Sequence, residues 1–337
     1  MMDIDHELER LLDGNAVSAE EAAAVADGVT VGSRGMYEIM HAADALTRRT
    51  FDGRGEVHAQ IGVNLGPCPK NCGFCVFGEK HGLVSKTTEL PIEEVVTRAR
   101  TAEREGANAI YLMTTAGYDF DRFLRTGRKV RGSIDPKMPL VANVGDFSRE
   151  EANDLVSAGF TAVYHVVRLR EGIDTGIDQE ERLRSIEAAK SAGLDVSYCV
   201  EPIGPEHSAQ EIVGSMFRAK DLGVAVQATM RRVAIPGAPL FFKGQITEVE
   251  QAKVTALARL VMGESIYAMG VHEPSMPSLM SGANMVYAET GSNPRDITED
   301  TREGRGRSVG ACKRMLQENG FRTFDGPARS LQGWLRE

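Results

Sequence analysis

The sequence predicts an α/β fold, a (βα)8 barrel of the TIM type with a helical extension at its N-terminus. Three observations carry that expectation. From residue 56 onward, short apolar runs alternate with helical stretches eight times over about 265 residues, the pattern of a parallel sheet joined by crossover helices. Several helical stretches stop at glycine (Gly106, Gly159, Gly193, Gly223, Gly263), each followed closely by an apolar strand, the C-cap chemistry of αβ turns. No glycine-rich dinucleotide fingerprint follows any strand to favour an open doubly wound sheet, the alternative arrangement. The expected division is a helical extension over 1–54, a barrel over 55–325 and a tail over 326–337.

The elements follow in order. "HELERLLDG" has a helical period and stops at Gly14. "SAEEAAAVADG" opens with Ser18 three residues before Glu21, a capping box, and ends at Gly28; "MYEIMHAADALTRRTF" is a third helix. "EVHAQIGVNLG" is the first strand, followed by a long loop from Gly66 to about Glu89 and a helix from about Pro91 to Gly106. Next come strand "AIYLMTT" with helix 119–131, strand "PLVANVG" with helix "SREEANDLVSAG" capped by Ser148, and strand "TAVYHVV" with helix "DQEERLRSIEAAKSAG". The second half pairs "LDVSYCVEPIG" with "SAQEIVGSMFRAKDLG", "AVQATMRRVA" with "TEVEQAKVTALARLVMG", "IYAMGV" with the short "SMPSLMSG", and "ANMVYAET" with a closing helix over 308–320.

With 42% hydrophobic and 26% charged residues, the 337-residue chain reads as a soluble globular protein. Its net charge of -9 and the lack of a basic patch argue against nucleic acid or an anionic membrane as partner. No apolar run approaches the ~20 residues of a membrane span. The acidic start "MMDIDHELER" has no apolar signal core, so the expected location is cytoplasmic. The densest basic run, Arg302, Arg305 and Arg307, reads as a solvated loop and helix start or as a contact to a phosphate-bearing ligand.

Three of the five cysteines, Cys68, Cys72 and Cys75, fall inside "NLGPCPKNCGFCVFGEK" with C-x3-C-x2-C spacing. An odd number, so clustered, points to metal or catalysis rather than disulfides. The loop follows the first strand, which places it on the C-terminal face of a barrel, where barrel active sites form. Its length also speaks for function. Three thiolates on a tight loop can cap three corners of a [4Fe–4S] cube and leave one iron open to a substrate or cofactor. Gly66, Pro67, Pro69 and Gly73 shape such a wrapping loop, and Phe74 would lie beside whatever the open iron binds. The other reading is a Cys3His zinc site completed by His81 or His58.

With an aromatic before the last cysteine and a first barrel strand in front, the triplet resembles the hallmark of the radical S-adenosylmethionine superfamily. The likeness extends over roughly residues 55–325. "AIPGAPLF", "SIYAMGV", "LMSGANMVYAETG" and "CKRMLQENGF" resemble the biotin and thiamin synthesis associated region, here about 225–325. That region belongs to the branch containing biotin synthase, the iron–iron hydrogenase maturase and methylornithine synthase. The resemblance implies a [4Fe–4S] cluster on Cys68, Cys72 and Cys75 whose open iron chelates the amino and carboxylate groups of S-adenosylmethionine. It implies reductive cleavage to a 5'-deoxyadenosyl radical, hydrogen abstraction from a small molecule, oxygen sensitivity, and an electron donor such as flavodoxin or ferredoxin.

Further roles come with the resemblance. It implies that Arg182 pairs with the cofactor carboxylate, a task a guanidinium fork suits. Glu171 meets the cofactor's amino end, and so do Thr114 and Thr115 where strand two ends. Asn143 meets the ribose, and Gly204 lies near the adenine. The positions that hold a second, [2Fe–2S] cluster in biotin synthase fall near Leu112, Ala142, Ser197 and Ala268 here, so that cluster looks absent. Cys199 remains a candidate catalytic thiol or unusual cluster ligand, against the plain reading of a small core residue. Cys312 reads as packing.

From the residues themselves, His272 and Glu273 at the end of strand seven, and Arg231 and Arg232 at the end of strand six, read as substrate contacts, with one of each adjacent pair facing out. His165 reads as a substrate contact or as a buried, hydrogen-bonded histidine. The leading expectation is a radical enzyme acting on a small, carboxylate-bearing substrate. The alternatives are sulfur insertion with a second iron–sulfur cluster, and a maturase whose product is delivered to a metalloenzyme.

Overall fold

Capping decides where the helices start. Ser18, Ser148, Ser208 and Thr247 each accept the backbone N–H of a glutamate three residues on, whose carboxylate reaches back to the cap. The expected glycine stops are also there: Gly106, Gly159, Gly193, Gly223 and Gly263 take φ of 85, 91, 83, 61 and 57°, values open to glycine at little cost. The computed structural model describes residues 4–332; residues 1–3 and 333–337, the end of the expected tail, lie outside the described residues.

Between these stops run eight parallel strands: β1 (Arg54–Gly62), β2 (Ala109–Met113), β3 (Leu140–Asn143), β4 (Ala162–Tyr164), β5 (Asp195–Ile203), β6 (Val226–Arg231), β7 (Met269–His272) and β8 (Met285–Gly291). Each pairs with the next in sequence, and β8 returns to β1 in a register from Glu56↔Met285 to Gly62↔Gly291, so the sheet closes into a barrel. The crossovers are α4 (Ile92–Arg104), α5 (Phe120–Arg131), α6 (Arg149–Ser157), α7 (Gln179–Ser191), α8 (Ala209–Asp221), α9 (Glu248–Met262) and the short α10 (Met276–Leu279), with α11 (Val309–Glu318) after β8. None of the described helices is long and apolar enough to cross a membrane.

The N-terminal helices α1 (Ile4–Leu12), α2 (Ala19–Gly28) and α3 (Arg34–Thr50) form a layer outside α8 and α9. Helix α3 buries Met36, Ile39, Ala43 and Leu46, a stripe at 3- and 4-residue spacing. Covered by that layer on one side and the sheet on the other, α9 is buried almost all round, Arg259 included. Burial pushes the Arg259 guanidinium down to about 10. It donates to the Ile266 carbonyl at 3.1 Å and to Thr50 Oγ1 at 2.9 Å, which fixes the helical layer to the barrel.

Inside the barrel, period-two alternation turns Glu56, His58 and Gln60 of β1 to one face. At the base, Glu56 accepts hydrogen bonds from the backbone N–H of Arg329 at 2.7 Å and from the Ser330 hydroxyl at 2.5 Å. His58 Nε2 pairs with Glu56 Oε2 at 3.0 Å, and His58 Nδ1 with the Tyr111 hydroxyl at 3.1 Å. The described part of the expected tail, residues 326–332, is packed. Residues 326–332 close the lower end of the barrel, because the buried carboxyl of Glu56 needs donors there.

Candidate functional site

The cysteine loop is a pinched hairpin. Asn64–Leu65 pairs antiparallel with Thr88–Glu89 at its base. Inside it, Cys68 N–H donates to the Phe77 carbonyl at 2.6 Å and Cys75 N–H to the Cys72 carbonyl at 3.0 Å. Neighbouring loops anchor it: Gly73 N–H donates to the Asp174 carbonyl, Leu240 N–H to the Gly73 carbonyl, and Val76 N–H to the Pro294 carbonyl, at 2.8, 2.9 and 3.0 Å. Gly78 is required by close approach, since a Cβ there would lie 2.2 Å from the His81 ring.

Cys68, Cys72 and Cys75 are each partly exposed and line one cavity at the C-terminal mouth of the barrel. Burial pushes the Cys72 thiol up to about 11 and raises the Cys75 thiol further, with the neighbouring thiols adding to the effect. The Phe77 backbone N–H donates to Cys75 Sγ at 3.4 Å. Counting the space open at its mouth, the cavity is about 1090 Å³. Of the residues the sequence singled out, Phe74, Thr114, Thr115, Asn143, Arg182 and His272 line it. The Thr114 hydroxyl is buried without a partner. Arg182 is fixed from behind: its Nε lies 3.2 Å from Asp146, and its Nη1 lies 2.9 Å from His165 Nε2.

A radical SAM superfamily model matches residues 66–219, from the cysteine loop to the end of α8. Over those residues the chain carries a radical SAM domain. It is 27% identical over 272 residues to the biotin synthase of Desulforudis audaxviator, covering 77% of this chain and 80% of that one. In fold, it is similar to the FeFe-hydrogenase maturase of Carboxydothermus hydrogenoformans, with a TM-score of 0.80 at 16% identity over 98% of this chain and 81% of that one. It is also similar to methylornithine synthase, with a TM-score of 0.78 at 15% identity over 98% and 99% of the two chains. These likenesses support a radical SAM enzyme of the biotin synthase-like branch, which implies a [4Fe–4S] cluster and S-adenosylmethionine.

The donor set of this radical SAM enzyme fits a cluster better than a single zinc ion. Zn–S bonds of ~2.3 Å in a tetrahedron hold sulfurs about 3.8 Å apart. The three sulfurs here do not all lie within 4.8 Å of one another. Of the histidines in the zinc reading, His58 is taken up with Glu56 and Tyr111 inside the barrel, while His81 spends Nδ1 on the Cys75 carbonyl at 2.9 Å.

Several expected contacts lie elsewhere. Glu171 is folded back by a turn that puts Arg170 at φ 56°; it accepts from the Arg168 N–H at 2.8 Å and the Thr175 hydroxyl at 2.8 Å, behind the cavity wall. Glu201 of β5 lines the cavity instead, 3.2 Å from Arg168 Nε and 2.5 Å from the Tyr164 hydroxyl. Gly204 faces the Arg232 guanidinium, with room for no Cβ, rather than the cavity.

Neither expected arginine of β6 reaches the cavity. Alternation turns Met230 inward, so Arg231 pairs outward with Glu248 at 3.0 Å. Arg232, past the strand end, is saturated by Glu206 and the Gly244 carbonyl. His165 points into the helix layer, 3.1 Å from Asp146, and burial pushes its pKa down to about 3, helped by the charge of Arg182. Glu273 does not line the cavity but holds Arg295, at 2.9 Å, and Arg305. Cys199 faces inward one layer below Glu201, fully buried and off the cavity lining; burial and the Glu201 charge push its thiol well above its ordinary value. Cys312 packs, donating to the Tyr287 carbonyl at 3.3 Å.

The sequence reading missed Gln60, Tyr164, Glu201, Met230 and Arg295, all of which line the cavity. Four of these were within reach of strand alternation. Arg295 was not: it stands four residues past β8, in a loop whose direction only the fold decides.

Proposed function

We propose that this enzyme abstracts hydrogen from a small molecule held between the cysteine loop and the floor of the barrel. One observation carries the reading: a single cavity gathers three thiols, Thr114, Asn143 and Arg182 above a floor closed to solvent from below. Cys68, Cys72 and Cys75 would hold the cluster. Arg182, pre-set by Asp146 and His165, would meet the cofactor carboxylate, with Thr114 at its amino group and Asn143 at its ribose. When bound, the pair supplies one-electron cleavage of a carbon–sulfur bond and thereby a carbon radical able to take hydrogen. The protein's part is to orient and to exclude water: Phe74 and Phe77 flank the thiols, and Met113, Val166 and Met230 give apolar walls. The electron comes from a donor of the flavodoxin or ferredoxin class.

The biotin synthase relatives favour sulfur insertion as a second reading. It needs a further sulfur source, and the barrel interior offers one thiol, Cys199. Anaerobic iron and sulfide analysis with EPR of the reduced protein separates the two. About four irons per chain, and a signal altered by S-adenosylmethionine, support hydrogen abstraction with a single cluster. Six or more irons move the assignment to sulfur insertion, and zinc in place of iron sinks both.

A further inference from the structure

The polar groups of the cavity are of two kinds. The four cations that line it each stand near carboxylates, Lys70 most loosely, 3.9 Å from Glu181 and 4.0 Å from Asp146. Arg168 lies 3.2 Å from Glu201 and 3.9 Å from Glu171, Arg182 lies 3.2 Å from Asp146, and Arg295 lies 2.9 Å from Glu273 and also pairs with Glu289. Gln60 and His272 are different. Each is 2% exposed and lines the cavity. Yet both amide atoms of Gln60 and both ring nitrogens of His272 have no partner.

Neither group is a loose end that could swing out to water. The His272 ring stacks on Tyr287 with centroids 3.7 Å apart and planes 5° off parallel, and Tyr287 stands edge-on to His58 at 6.0 Å and to Tyr111 at 5.9 Å. Gln60 stands two residues beyond His58 on the same face of β1. Both therefore form the floor, with Met230 beside His272 in the sheet register. Both are neutral: burial and the nearby Arg295 push the His272 pKa well below its ordinary value. Together they offer hydrogen-bond donors and acceptors but no charge. Buried polar atoms are normally paired, so these four unpaired atoms, with the Thr114 hydroxyl facing the same space, point to partners that enter it.

We propose that Gln60 and His272 are a specificity pair that grips the substrate, and that the group they grip is uncharged and carries a donor beside an acceptor, as an amide, lactam or urea does. A carboxylate at this floor would meet Arg168 and Arg295, each already held by two carboxylates, while Arg182, with one, and Lys70, no nearer than 3.9 Å to any, are left for the cofactor. The inference rests on the radical-enzyme reading above, and it replaces the carboxylate-bearing substrate expected from Arg231 and Arg232.

The test uses anaerobically reconstituted holoenzyme with S-adenosylmethionine bound. It is titrated by calorimetry with 2-pyrrolidinone, 2-imidazolidinone, cyclopentanone and propionate. The first two rings, which carry donor and acceptor, should bind roughly tenfold or more tightly than cyclopentanone or propionate. Gln60→Leu and His272→Phe should each weaken 2-pyrrolidinone by about tenfold, and each should raise the melting temperature, since an unpaired buried group is removed. A purely structural role would lower the melting temperature. Propionate binding tightest, absence of binding by every compound, or 2-pyrrolidinone affinity unchanged in both variants overturns the proposal. So does cofactor affinity falling in step with 2-pyrrolidinone affinity, which would place the pair on the cofactor. Failure of the radical-enzyme reading shows separately, as wild-type protein that takes up no iron or binds no S-adenosylmethionine, and the proposal falls with it.

Discussion

Glu56, His58 and Gln60 share one face of β1, two residues apart, and are buried alike at 0, 0 and 2% exposure. The lower two are fully engaged, Glu56 with Arg329, Ser330 and His58, and His58 with Tyr111. The upper one has no partner at all. Burial therefore does not distinguish base from floor, and partners do. The base is a finished network whose members serve stability, while the floor is an unfinished one that waits for something.

The contrast breaks most readily at the base. Glu56→Ala strips an acceptor from the Ser330 hydroxyl, two backbone N–H groups and His58. The expected cost is about 3 kcal/mol in equilibrium unfolding, with iron content after reconstitution unchanged. A loss under about 1 kcal/mol would mean that the base network is idle.

A smaller effect comes from behind the cavity rim. His165, facing Asp146, Arg182 and Arg168, has its pKa pushed to about 3 in the folded chain, against about 6.5 unfolded. Between those values the unfolded chain binds a proton that the native one does not, so stability is full above pH ~6.5 and falls as pH drops towards 3. Asp146, also held below its ordinary value, adds a loss at the acid end. His165→Gln should flatten the fall by on the order of 1 kcal/mol per pH unit in that window. Denaturant titrations from pH 7 to 4 read it, and an unchanged slope would remove His165 as the cause.

The smallest effect belongs outside the cavity. Arg231→Ala removes a rim pair with Glu248 and should shift stability by no more than about 0.5 kcal/mol, with substrate-dependent cofactor cleavage unchanged. A large rise in KM would return Arg231 to the substrate.

Much of this was readable from local rules. The capping serines and the glycine stops act within one turn, so Ser18, Ser148, Gly106 and Gly193 could be placed without the fold. The cysteine triplet was readable because its members share one loop. Parity settled less than it promised: Arg231 and His165 fall on the outward phase of their strands, which requires knowing where each strand's register starts. Glu171 and Glu201 show the limit most plainly. Glu171 stands seven residues past β4, where a turn through positive φ at Arg170 sends it behind the wall, while Glu201, still within β5, is kept in the cavity by strand geometry.

The seal at the base also sets a timetable. Glu56 is made first, and its partners Arg329 and Ser330 follow 273 and 274 residues later. The strip Arg322–Thr323 that flanks the start of β1 comes almost as late. A nascent chain leaving the ribosome therefore carries a half-dressed first strand until those 273 residues have followed it. The closing of the cylinder, with β8 on one side of β1 and residues 329–330 beneath it, waits for them, and contacts so far apart in sequence form slowly.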